Sequence, residues 1–403
     1  MNTVTPARTA DPFRLALFWL GIQAVWGAIL GISLQARTIE LATGNPVIAY
    51  GRLAAVGATM AAITQIIVGV WSDVRRRGGS RRVEFYVAGA AGGAVALWFF
   101  YRAGSFPALV ISYAALQITL NLAIGPYQAI IPDFVERTRQ GAASSWMAAL
   151  QSAGNAVGAL TASFVAKGEA IAAGLGALLV GSCVVTSAQA RGLELRDSEQ
   201  RVGLRVTRPF IDLFVSRALV YVGFYTLLGY LLFYVQAVLG TTVLSQARLR
   251  TGILIVAFTL VGVLGAAFAA RPSDRLDKRV VATIGGAAFM LALGLFIASR
   301  EFTGAVVATL IAGIGWGIFL VADWAIACRV LPQGAMAAAM GVWNLAVLLA
   351  QVAAPALTTA VLERWSLSGG TSPRIAFGLA FGETLVGIAW LWRISREAIA
   401  PDT

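Results

Sequence analysis

Histidine is absent from this chain of 403 residues, cysteine occurs only twice, and charged residues make up 12% of it. A soluble domain is roughly 25% charged, so this composition argues against a large soluble enzyme. Without histidine a Ser-His-Asp triad cannot form, and proton chemistry near neutral pH is left to carboxylates. Cys183 and Cys328 lie inside apolar segments, so we expect no disulfide framework. The sequence contains no nucleotide loop or metal-ligand cluster, and we expect neither a cofactor nor enzymatic activity.

Apolar residues dominate instead, with 58% of the chain hydrophobic. A membrane span needs about 20 mostly apolar residues. Twelve segments meet that condition, and the first is too long for a signal peptide, so we interpret it as a retained span. The segments are approximately 14–36, 48–72, 83–103, 106–131, 141–165, 169–190, 210–237, 250–270, 280–299, 303–328, 336–362 and 374–394. The sequence predicts an all-α integral membrane protein with twelve transmembrane helices.

The net charge is +12, and the placement of the basic residues along the chain indicates the membrane topology. Basic residues fall mostly in short segments between apolar runs, and they are more frequent on the side that also holds both termini. Under the positive-inside rule that side is the cytoplasm. We therefore expect a multi-pass protein of the inner (cytoplasmic) membrane, with both termini cytoplasmic. Its environment is the lipid bilayer, nucleic acid is not expected as a partner, and we expect a monomer.

The chain also divides into two similar halves. The longest charged connection, 191–209, predicts a cytoplasmic linker between an N-terminal bundle at 1–190 and a C-terminal bundle at 210–403. Asp73 after the second span and Asp274 after the eighth are 201 positions apart, while Trp146 and Trp343 are 197 apart. A near-constant offset indicates two pseudo-symmetric six-helix bundles built as parallel repeats.

Short motifs then suggest a family. Gly69-x-x-x-Asp73 followed by Arg81-Arg82 resembles the signature loop of the major facilitator superfamily. Further motifs resemble its branch of sucrose:proton and glycoside-pentoside-hexuronide:cation symporters: Gly21-Ile-Gln23-x-x-Trp26, Pro132-Asp133-x-x-x-Arg137-x-Arg139 and Gly341-Val-Trp343-Asn344. The resemblance implies alternating access, a cavity lined by helices 1, 4, 7 and 10, and proton-coupled transport of a small polar solute such as a sugar or glycoside.

Charged span ends on the predicted cytoplasmic side form a predicted gate. Gly69 would let a neighbouring helix approach closely, and Asp73 would meet the positive N-terminus of a helix. By resemblance that helix is the eleventh, beginning near Met336. Alternatively, the arginines only fix topology. The predicted gate residues are Gly69, Asp73, Arg75, Arg81, Arg82, Asp133, Arg139, Asp274 and Arg275.

Polar and aromatic pairs at helical spacing supply the predicted substrate contacts, since polar residues inside a membrane are costly to leave facing lipid. Amides and aromatic faces suit a neutral polyhydroxy ligand. The alternative is that the amides only join helices by hydrogen bonds. The pairs are Gln23 with Trp26, Gln117 with Asn121, Gln151 with Asn155, and Tyr221 with Tyr225.

Arg217 and Asp323 lie inside spans at similar predicted depths, so an ion pair between them is expected. Asp323 would take up the coupled proton and release Arg217; alternatively the pair is a fixed structural one. Glu383, midway along the last span, is a protonated acid, a contact to another subunit, or a sign of a misplaced span.

Two other functions stay open at this point. Aromatic residues and scarce buried charge also suit an exporter of lipophilic compounds. By resemblance, the same fold also hosts membrane assembly factors that transport nothing.

Overall fold

A computed structural model describes residues 10–77, 82–135, 140–193, 206–331, 336–365 and 371–399. Within these ranges twelve long helices follow one another, which confirms the predicted all-α membrane fold. Eleven of them are long and apolar enough to cross a membrane. The fifth, Gln140–Phe164, forms as a helix but is not among the eleven, because Ser, Gln and Asn side chains interrupt its apolar sequence.

The first compact unit comprises Met1–Thr43 and Val56–Gln200. Within it α1 contacts α5 and α6, and α3 contacts α4 and α6, so α6 links the two sets of helices. A short helix, Ile130–Phe134, follows α4. The six long helices are α1 (Pro12–Leu41), α2 (Pro46–Arg77), α3 (Val83–Arg102), α4 (Phe106–Tyr127), α5 (Gln140–Phe164) and α6 (Gly168–Arg191).

The α1 helix is irregular at its centre. It begins at an Asp11 cap, whose carboxylate accepts a hydrogen bond from the Phe13 amide. Residues Ile29–Ser33 then form a π-helical turn. Just beyond it, the fully buried Gln35 donates a side-chain hydrogen bond of 2.7 Å to the Leu30 carbonyl, which stabilises the wide turn. Hydropathy did not predict this turn, because it leaves the apolar content of the helix unchanged.

The second compact unit comprises Gly44–Ala55 and Arg201–Thr403. In it α7 contacts α11 and α12, and α9 contacts α10 and α12, so the helix pairings of the first unit are repeated. This repetition confirms two pseudo-symmetric six-helix bundles. The helices are α7 (Arg208–Ala237), α8 (Leu244–Arg275), α9 (Lys278–Ala298), α10 (Phe302–Val330), α11 (Met336–Arg364) and α12 (Thr371–Leu391).

The first residues of α2 group with the second unit. Tyr50 lies edge-on to Tyr230 with ring centroids 5.5 Å apart, and Arg52 forms a 2.6 Å ion pair with Glu363. The predicted sequence boundaries of the two bundles, 1–190 and 210–403, stay a prediction.

Small residues bring helix backbones together. A Cβ atom placed on Gly315 of α10 would lie 2.6 Å from the Gly285 carbonyl oxygen of α9, and one on Gly154 of α5 would lie 2.6 Å from the Leu20 carbonyl oxygen of α1. Neither gap accommodates a larger side chain, as is usual where helices associate in lipid by close packing.

Candidate functional site

The most deeply buried charges form one cluster in the second unit. Arg217 of α7 and Asp323 of α10 pair directly, with 3% and 2% of each residue exposed. The predicted ion pair is therefore present. Breaking a buried pair by removing one partner typically costs about 3–5 kcal/mol, because the remaining charge is left uncompensated.

Aromatic rings surround the guanidinium of this pair. Its carbon lies 3.6 Å from the ring centroid of Trp343 on α11 and 4.5 Å from that of Tyr221 on α7. Arg217 also donates a 3.2 Å hydrogen bond to the Tyr221 hydroxyl. Three helices thus converge on one cation, which keeps several contacts that do not depend on the charge of Asp323.

Next to this cluster lie aromatic rings and an amide that are less buried. The predicted pair Tyr221 and Tyr225 is adjacent, with ring centroids 6.3 Å apart. Gln351 of α11 donates a 2.7 Å hydrogen bond to the Tyr225 hydroxyl. Phe224 stacks on Trp316 of α10 at 4.2 Å. Sequence reasoning missed Gln351, Phe224 and Trp316; only their shared aromatic or amide character inside spans could have pointed to them.

In the first unit the structure brings two predicted amides together. Gln23 of α1 and Gln151 of α5 are joined by a hydrogen bond of 3.5 Å, and both are only partly buried. Trp26 and Asn155, their predicted partners, are also partly buried. This arrangement leaves amide and indole groups with the accessibility that a polar ligand needs.

The α4 amides have a different environment. Asn121 donates to the Gln117 carbonyl and accepts a 2.6 Å hydrogen bond from Gln65 of α2. Gln117 donates 2.7 Å to the Tyr113 hydroxyl, and both Gln117 and Asn121 are buried. The hydrogen bond from Gln65 joins α2 to α4, which favours the alternative interpretation that these amides hold helices together. Gln65 was not predicted as a contact from the sequence.

One end of the first unit holds the predicted gate charges. Arg82 donates 2.7 Å to Asp73 and 3.1 Å to Asp133, and it is 5% exposed. Its backbone is left-handed, with φ +60°, a conformation rare for residues other than glycine. The α2–α3 junction thus places this arginine between two acids from different helices.

The remaining gate residues of the first unit are less constrained. Arg75 pairs with Glu84 at 3.0 Å on the surface. Arg81 and Arg139 lie outside the described residues. A Cβ atom at Gly69 would meet no described atom within 4 Å, and the close approach of a neighbouring helix to this glycine stays a prediction. The predicted contact of Asp73 with the start of α11 stays a prediction.

Near the second copy of the motif, the structure describes an ion pair that was not among the predicted gate residues. The side chains of Asp274 and Arg275 lie outside the described set. Nearby, Arg279 pairs with Asp277 at 2.6 Å and donates 2.7 Å to the Ile394 carbonyl, while Arg396 also contacts Asp277 at 3.2 Å. The hydrogen bond from Arg279 lowers the pKa of Asp277 to about 2, so this carboxylate stays ionised at neutral pH.

A sequence signal for Arg279 exists. It lies 197 positions after Arg82, the same offset that separates Trp146 from Trp343. Both arginines stand at the start of the third helix of their unit, one at the cap of α3 and the other in the first turn of α9. Applying the tryptophan offset, rather than matching acids, would have found it.

A sequence model described as "Major Facilitator Superfamily" matches residues 16–355. No curated protein matches the chain.

Several solved structures share the fold. A bacterial homologue of the human lysosomal transporter Spinster, inward-facing and occupied, has a TM-score of 0.75 at 15% identity, covering 96% of both chains. A D-xylose–proton symporter has a TM-score of 0.68 at 14% identity, covering 96% of this chain and 98% of the other. The nucleoside transporter NupG has a TM-score of 0.67 at 12% identity, with coverage of 95% and 98%. At these identities the likeness shows the fold alone.

Proposed function

The chain belongs to the major facilitator superfamily of membrane transporters, and we propose that it carries a small polar solute, a sugar or glycoside, together with protons. Transport proceeds by alternating access in the inner membrane, with both termini in the cytoplasm and the protein acting as a monomer. The sucrose and glycoside branch suggested by the sequence motifs belongs to this proposal.

The observation that carries the proposal is the buried Arg217–Asp323 pair beside aromatic rings and an amide. Among the described residues Asp323 supplies the only carboxylate in this cluster, so it is the group that a transported proton would neutralise. Neutral Asp323 attracts Arg217 less, while the contacts to Trp343 and Tyr221 hold the cation in place. The guanidinium therefore keeps its contacts to these two residues when the pair opens.

Solute binding is assigned to the partly buried polar groups of each unit. The Gln23 and Gln151 amides offer donors and acceptors in the first unit. In the second unit Gln351 and the Tyr225 hydroxyl do the same, and the neighbouring ring of Phe224 offers an apolar face. Amides with flat rings suit sugars, which need many hydrogen bonds and a surface for stacking.

Arg82, with Asp73 and Asp133, is assigned to the cytoplasmic gate. Two acids on one buried arginine fix the ends of α2, α3 and the short helix after α4 in one arrangement. For the cytoplasmic side to open, the ion pairs of Arg82, or the predicted contact of Asp73 with α11, must break.

Uptake into proteoliposomes over a panel of labelled sugars and glycosides tests the proposal, with and without an imposed inward proton gradient. We expect saturable uptake of at least one sugar, stimulated by the gradient and abolished by a protonophore. Sugar uptake at the same rate with and without the proton gradient would contradict proton coupling. If no sugar is carried but a lipophilic dye is extruded, the protein is an exporter. If neither a sugar nor the dye is transported, the result favours the assembly-factor hypothesis.

A further inference from the structure

A groove of about 460 Å³ lies between α11 and α12, within the second unit. Leu357, Val361 and Leu379 form its apolar walls, and Trp365 lies at the end of the groove where α11 finishes. Its volume is within the range of about 300–1,000 Å³ typical of small-molecule sites. Leu357 and Trp365 are 52% and 63% exposed, so the groove opens on the outside of the helix pair, where a membrane protein meets lipid.

One acid stands in this apolar setting. Glu383 lines the groove and is the thirteenth of the 21 residues of α12. Its Oε2 atom is buried and has no hydrogen-bond partner among the described residues. An unpaired charge near the middle of a membrane helix is costly, because the hydrocarbon cannot solvate it. An uncompensated carboxylate at this depth is therefore a candidate to bind a charge from outside the chain.

We propose that the groove binds a lipophilic monocation, which pairs its charge with the Glu383 carboxylate and places its apolar body against Leu357, Val361 and Leu379. The ligand enters from the bilayer, where such compounds concentrate. This site is separate from the residues assigned to solute transport and does not depend on which solute is carried.

Charge and depth favour this class over a phospholipid. Glu383 lies twelve residues beyond the start of α12, which is about 18 Å along the helix axis. A lipid head group remains near the membrane surface, so a phospholipid would fill the groove with acyl chain and leave the carboxylate unpaired. Arg364, at the end of α11, also lines the groove. Its positive charge disfavours a ligand that carries a second positive group.

Binding of tritiated tetraphenylphosphonium to the purified full chain in detergent tests the proposal by scintillation proximity. We expect saturable binding by the wild type and at least tenfold weaker binding by Glu383→Gln, about 1.4 kcal/mol. Leu379→Trp, which fills the groove and leaves its charge intact, should weaken binding as strongly. Monodisperse elution of each variant in size-exclusion chromatography confirms that it is folded.

Glu363→Gln is the matched control. Glu363 lies on α11, next to the groove residue Arg364, but it pairs with Arg52 and does not line the groove. Removing its charge should therefore leave the affinity for the cation unchanged. Neutral tetraphenylmethane, which has the shape of the cation without its charge, should not compete. The proposal is overturned by wild-type affinity in Glu383→Gln, by equal loss in Glu363→Gln, or by competition from the neutral analogue. It is also overturned if the wild type shows no saturable binding.

Discussion

The guanidinium carbon of Arg217 lies 3.6 Å from the ring centroid of Trp343, on the same cation that pairs with Asp323. A desolvated cation–π contact of this kind contributes about 2 kcal/mol. Trp343 is fully buried, and its Nε1 has no hydrogen-bond partner in the part of the chain that the structure describes. The ring therefore contributes through its face and its packing rather than through a hydrogen bond.

Replacing this ring tests the contact. Trp343→Phe should lower the apparent melting temperature in detergent, because phenylalanine binds a cation more weakly than tryptophan does. In an Arg217→Gln background the same substitution should cost about 1 kcal/mol less, since no cation remains. Thermal unfolding of the four proteins in this cycle gives the coupling. Additive effects would show that Trp343 matters only through packing.

Asp323→Asn should abolish accumulation driven by a proton gradient while leaving solute exchange without a gradient. The variant also leaves Arg217 unpaired, which we expect to destabilise the protein by about 3–5 kcal/mol. The double variant Arg217→Gln/Asp323→Asn should regain much of that stability but not the accumulation. Proteoliposome uptake and thermal unfolding measure the two effects separately. Full gradient-driven accumulation by Asp323→Asn would exclude the coupling role.

The amide pairs should divide into two classes. Gln23→Ala and Gln151→Ala should raise the KM for the solute with little change in stability, because their mutual hydrogen bond is long and only partly buried. Asn121→Ala should chiefly lower stability, by about 1–3 kcal/mol, because the Gln65 amide loses its partner. Uptake kinetics with parallel melting curves distinguish them. An Asn121→Ala variant with normal stability and a raised KM would contradict this division.

Asp73→Asn should slow transport without reducing membrane insertion, because Arg82 retains Asp133 while the Asp73 side chain, 43% exposed, is the more accessible of the two acids. Unchanged turnover would remove the gate role. Arg82→Gly provides a separate comparison, since glycine adopts the left-handed backbone without strain. It should slow transport as well, which would assign the effect to the guanidinium and not to the backbone.

The Asp277–Arg279 pair should contribute stability that is constant from pH 5 to pH 8. The pKa of Asp277 is lowered from 3.8 to about 2, so its contribution is complete above about pH 5 and is lost as the pH falls from there through about 2. Asp277→Asn should therefore cost the same at pH 5 and pH 8, about 1–2 kcal/mol after solvent screening. Melting curves at both values check this. A cost that changes between them would contradict the assignment.

Apolar length and charge distribution predicted the helices, because a span must satisfy its backbone hydrogen bonds within hydrocarbon. The boundaries differ where a helix continues past the apolar run. The apolar run of α2 ends near residue 72 but the helix continues to Arg77, since arginine is a good helix former.

Side-chain partners were harder to predict. The Arg217–Asp323 pair could be predicted because two buried charges at one depth have few alternatives. The contacts of Gln65, Gln351 and Arg279 could not, because each depends on how neighbouring helices are rotated about their axes. Hydropathy contains no information on that rotation.

The π-helical turn of α1 has a consequence for that rotation. On a regular helix, at about 100° per residue, Gln35 would be turned about 120° from Gln23. A π turn absorbs one extra residue, so the second half of the helix lags by one position and the angle falls to about 20°. By this count the two glutamines lie almost in line along α1, although a helical wheel drawn from the sequence would separate them.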